Sequence, residues 1–180
     1  MKTVLILLLT LNLHASLKQK MFNLYQNKKY ENVCTLGFNN FYAHKKDEEF
    51  ILTYAFACLK SDYIDRLAVP ITILKFSQDA RSNAAYFSVI LMQKKLLYHA
   101  LLDNYDLSML KLPTTDYVLS KVFDLYAKIG KHTPRAFYLF EDPEDKKLTY
   151  KLYIMKGQRL DKIVIEEFYD KINLKRHIYW

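Results

Sequence analysis

The chain predicts a mainly α protein, a stack of antiparallel helical hairpins carrying a small antiparallel β-meander at its C-terminal end. Three observations lead there. Between Asp47 and Asp103, apolar or small residues recur at helical spacing in nearly every turn. From Leu148 to Met155 the period changes to strict alternation. Only three glycines, Gly37, Gly130 and Gly157, occur in 180 residues, which argues against glycine-rich phosphate loops. About half the residues are apolar and 15% aromatic, enough for a substantial single core.

Residues 1–15 read as a segment apart. Lys2 precedes an apolar run from Val4 to about Leu13, too short for the roughly 20 residues that span a bilayer. With Ala15 before Ser16 it fits a secretory signal peptide, so the mature chain is expected to begin at Ser16, in a bacterial periplasm or outside the cell. No cysteine follows the run, which argues against a lipid-attached N-terminus. Once the signal is removed, no membrane-spanning segment is expected. The formal charge is +8, with lysines scattered rather than clustered. A solvated basic surface explains this; anionic lipid, polysaccharide or an acidic partner are the alternatives. Nucleic acid fits an exported protein poorly.

Domain organisation follows as signal peptide 1–15, helical domain 16–130 and meander 136–180, with KHTPR (131–135) as the boundary. Leu17, Met21, Leu24 and Tyr25 start the first hairpin. Asn27-Lys28-Lys29 breaks it, and Tyr30, Val33, Leu36 or Gly37, and Asn40 or Phe41 continue. Asp47, Glu48 and Glu49 suit a helix N-terminus, where the dipole favours negative charge. Phe50, Tyr54, Ala57 and Cys58 form the next stripe, widened by Ile51, Ala55 and Leu59. Asp62 is placed to cap the following segment with Asp65 as its capping-box partner. Pro70 should kink or restart that helix.

The segments LYQNKKYENV and ACLKSDYIDRL resemble the middle of a tetratricopeptide repeat, in which an aromatic opens the second helix after a short polar turn. Tyr30 and Tyr63 hold that position 33 residues apart, near the family period of about 34. Both turns lack the usual glycine, and Val33 and Arg66 stand where the family has a small alanine. Over roughly residues 17–103 the resemblance implies stacked hairpins and a binding or scaffolding role.

Asn83–Leu102 predicts a long helix, apolar almost all round from Ala84 to Met92 apart from Ser88, and so covered on more than one side. Residues 103–113 read as an irregular connector. Thr114 or Thr115 should cap a last helix ending at Gly130, with Val118, Val122, Leu125 and Ile129 inward. AFYLFE, LTYKLYIM and LDKIVIEEF predict three strands, joined through turns at 142–145 and at Lys156-Gly157.

No HExxH, GxSxG, CxxC or nucleotide fingerprint is present. His44, His99, His132 and His177 share no ligand spacing, and no cofactor is implied. The acids Glu141, Asp142, Glu144 and Asp145 are explained by a turn. Cys34 and Cys58 are equally far along the chain from Lys46, so a hairpin turning there sets them at one height. They are either a disulfide, which an oxidising address favours, or two buried thiols. Helix separations of about 8–10 Å exceed disulfide limits, so bonding requires close approach at Gly37, Ala55 and Ala57.

On the long helix, Ser88, Lys95, His99 and Asp103 fall in one narrow sector. With Asn83 and Gln93 on its border, that sector is the predicted surface for an envelope protein or peptide. A non-enzymatic exported binding or scaffolding protein is the expected function. The alternatives are an enzyme whose site assembles without a local motif, and a lipid- or glycan-binding carrier.

Overall fold

The computed structural model describes residues 16–180, so the predicted signal peptide lies outside the described residues. The fold is mixed rather than mainly α. Among the described residues, six helices and a four-stranded antiparallel sheet share one core, and the expected stack of hairpin repeats is not what forms.

Helices α1 (Leu17–Gln26), α2 (Tyr30–Asn40) and α3 (Glu48–Lys60) follow the sequence pattern closely. Ser16 caps α1, and Asp47 caps α3 by accepting from the Phe50 amide. The α3 stripe from Phe50 to Leu59 is buried as predicted. Its partner α2 comes unusually close, because Gly37 leaves room for Tyr54: a Cβ on Gly37 would lie 2.5 Å from the Tyr54 Cβ. One turn away, Cys34 and Cys58 are joined as a disulfide with a Cα–Cα distance of 4.7 Å.

Repetition then stops. A 3-10 turn, Ile64–Leu67, runs into the six-residue α4 (Ala68–Ile73). Pro70 lies in the first turn of α4, where its missing N–H costs nothing. Helix α5 (Gln78–Asp103) is capped by Ser77 and outlasts every neighbour. It buries Phe87, Ile90, Leu97 and Ala100 but leaves Met92 exposed, so its cover is incomplete. An irregular segment separates it from α6 (Val118–Ala127), which starts later than expected. The Thr115 hydroxyl accepts from the Tyr117 amide while the Thr115 amide donates to Ser120, so neither threonine caps the helix.

The sheet has one strand more than predicted: β1 (Tyr138–Glu141), β2 (Leu148–Met155), β3 (Lys162–Tyr169) and β4 (Ile172–Tyr179), in that order. Asp170 and Lys171 join β3 to β4 with φ of 48° and 69°, as a two-residue hairpin turn requires. The face bearing Tyr138, Tyr150, Leu152, Ile163, Ile165 and Tyr179 packs on the helices. β4 escapes sequence reading because the sheet face that packs on the helices carries an exposed Lys175 and a buried His177 along this strand. An irregularity opposite Glu167/Phe168 also leaves Leu174 without a partner and breaks the alternation.

Candidate functional site at the helix–sheet junction

Asp62 is not a cap. It follows the end of α3 in the left-handed region (φ 65°), an uncommon conformation for a non-glycine residue. That turn sends its carboxylate toward α6 and β4. Asp62 Oδ1 accepts from the Tyr117 hydroxyl and from His177 Nδ1, each at 2.8 Å. His177 Nε2 is 2.7 Å from Glu167 Oε1 on β3. A carboxylate on each ring nitrogen favours the doubly protonated, cationic form of His177. Burial opposes that charge, but the bonds to Asp62 and Glu167 outweigh it and raise its pKa above 6.5. Tyr117 gives its proton to Asp62 and accepts from Tyr179 at 3.2 Å. Burial pushes both phenols well above their ordinary pKa, keeping them neutral.

A second charge group adjoins this one. Lys94 of α5 is only 2% exposed, and its Nζ donates to Asp65 Oδ1 at 3.1 Å and to the Trp180 carbonyl. Lys95 donates to the other Asp65 oxygen at 2.9 Å. Burial depresses the Lys94 pKa, and Asp65 offsets that only in part. A cavity of about 160 Å³ opens here, walled by Tyr63, Asp65, Arg66, Lys94 and Trp180. The Trp180 and Tyr63 rings meet edge to face at 5.9 Å, and Trp180 stays 43% exposed. Arg66 stacks over Tyr63 and Phe38 and donates to Thr35. The cavity thus combines two aromatic walls with charges of both signs.

The residues singled out from sequence separate. Lys95, His99 and Asp103 share an exposed face, where His99 donates to Asp103 at 2.8 Å and stacks on Tyr105. Lys95 carries that face to the cavity through Asp65. Asn83 and Ser88 spend their side chains on backbone carbonyls of their own helix, those of Asp79 and Ala84. Gln93 is fully buried and donates to the Pro113 carbonyl, so it offers nothing to a surface partner. Asp62, Lys94, Tyr117, Glu167, His177 and Trp180 were not singled out as site residues. No spacing signal could have found them: Asp62 and His177 lie 115 positions apart.

The acidic turn after β1 is structural. Asp142 is 3% exposed; its Oδ1 accepts from the Glu144 amide, and its Oδ2 accepts from Tyr150 and Lys121. Burial works against its charge, but these donors prevail and hold its pKa down at about 2. Among the described residues no group of three or more His, Cys, Asp or Glu is arranged to hold a metal ion. No described helix is long and apolar enough to cross a membrane. No family model, curated protein or solved structure matches this chain.

Proposed function

We propose that this is a non-enzymatic, exported binding protein of a bacterial envelope, which holds a segment of another polypeptide at the helix–sheet junction. One observation carries the reading: a side-chain-sized cavity lined by Trp180, Tyr63, Arg66 and Asp65 continues onto the exposed Lys95–His99–Asp103 face of α5. Aromatic and arginine side chains bordering a small recess are the groups that dominate protein recognition. The disulfide supports an oxidising address. Both ring nitrogens of His177 are engaged by Asp62 and Glu167, which supports a structural role for this side chain. Capture from a cross-linked envelope fraction tests the proposal. A stoichiometric polypeptide partner, lost on Trp180→Ala, is expected; capture unaffected by that variant would refute it.

Lys94 supports a second reading. A desolvated amine beside another cation, opening on a cavity, is the kind of group that adds to a carbonyl compound and, with loss of water, forms a Schiff base that borohydride reduces to a stable secondary amine. Borohydride trapping with small aldehydes and ketones decides it: a mass increase confined to the peptide bearing Lys94 would favour an enzyme.

A further inference from the structure

β4 lies at the edge of the sheet and is hydrogen-bonded to β3 alone. Its C-terminal part is secured at the junction, where His177 and Tyr179 are buried. Its first five residues, Ile172–Arg176, are exposed at every position. Apart from the ladder to β3, which is interrupted at Leu174, the backbone of this stretch makes no hydrogen bond among the described residues, and such an edge is a template for an added strand. The opposite edge, β1, is only four residues long.

Side chains on this edge select what can be added. Ile172 and Leu174 are 69% and 59% exposed, an apolar pair that unprotected edges seldom display. Around them stand Lys171, Lys175 and Arg176, and β4 carries no acid. Arg176 is engaged by Glu166 at 3.6 Å, whereas Lys171 and Lys175 make no ion pair among the described residues, although Lys175 stands opposite Glu167 in the ladder. A second copy of β4 would set one cationic strand against another about 4.8 Å away, an arrangement that like-charge repulsion opposes. The same repulsion becomes attraction for a strand bearing carboxylates.

We propose that the Ile172–Arg176 edge of β4 is a docking site for an acidic, extended polypeptide segment, which adds to the sheet as a further strand. Backbone pairing supplies affinity. Carboxylates facing Lys171 and Lys175, with apolar residues against Ile172 and Leu174, supply selectivity. The site is separate from the junction cavity and does not rest on the function proposed for it.

Panning the full disulfide-bonded chain against a display library of random twelve-residue peptides tests the proposal. Enriched peptides should be acidic and rich in β-branched residues. Adding one should slow amide hydrogen exchange at 172–176 and leave 138–141 unchanged. Lys171→Glu with Lys175→Glu should weaken binding by about tenfold or more, while Trp180→Ala should not. Both lysines are exposed, and circular dichroism checks that the double variant folds; if it does not, the exchange map of the native chain still decides. No enrichment, enrichment of neutral or basic peptides, or protection elsewhere than β4 would overturn the proposal. It would also mean that the lysines serve only to keep the edge unpaired.

Discussion

Replacing His177 with glutamine removes the cation held between Asp62 and Glu167 and leaves two carboxylates facing a neutral group. Removing one partner of a buried charge pair costs about 3–5 kcal/mol, chiefly because the remaining charge stays desolvated. His177 is 3% exposed, but the Asp62 and Glu167 side chains are 14% and 22% exposed, so water relieves part of that cost. A loss of about 3 kcal/mol follows. Urea unfolding at pH 6, under non-reducing conditions, should show it as a lower midpoint with an unchanged slope.

The pH dependence has a definite sign. The folded pKa of His177 is raised, so its contribution is complete below the unfolded value near 6.5 and disappears as pH rises through the folded value. The groups facing His177 are Asp62 from the loop after α3, Glu167 from β3, Tyr117 at the start of α6, and Lys175 and Tyr179 on its own strand. Wild type should lose stability across that range, and His177→Gln should lack this component. Equal midpoints at pH 6, or parallel pH profiles, would refute the imidazolium clasp.

Other perturbations have comparable reach. Reducing the Cys34–Cys58 bond, whose cysteines are 24 positions apart, should cost about 3 kcal/mol in the chain-entropy account, read from urea midpoints with and without reductant. Gly37→Ala sets a methyl group against the Tyr54 side chain and should destabilise by about 1–3 kcal/mol; an unchanged melting temperature would mean that α2 and α3 are not so closely apposed. Asp142→Asn should cost about 2 kcal/mol at pH 7. With the Asp142 pKa depressed to about 2, its contribution is present above the unfolded carboxylate range and lost as pH falls toward 2. Acid titration should therefore show a weaker stability loss in the variant. Lys95→Ala with His99→Ala should shift stability by no more than about 0.5 kcal/mol, measured by thermal melting, since both side chains are more than half exposed.

What the sequence made legible is what short-range physics controls. The α3 stripe, the acidic start of α3 at Asp47–Glu49 and the alternation in β2 each depend on residues within a turn or two, and each is found in the structure. β4 was hidden because burying a charged His177 requires carboxylates brought by β3 and by the loop after α3, which local pattern cannot foresee. Asp62 and Asp65 had capping spacing, yet the left-handed turn at Asp62 redirects one acid to His177, while Asp65 meets Lys94 and Lys95 of α5. Gln93 read as polar and therefore peripheral, but its amide is needed by the Pro113 carbonyl. Of the sector read along α5, Lys95, His99 and Asp103 point outward together.

Site-specific photo-cross-linking in the native host addresses the proposed binding function most directly. A photoreactive residue at position 95 lies beside the junction cavity, and one at exposed position 146 lies in the turn between β1 and β2. A discrete polypeptide adduct from position 95, absent from position 146 and abolished by Trp180→Ala, is the predicted result. No adduct from position 95, or the same adducts from both positions, would contradict a polypeptide-binding site at the helix–sheet junction.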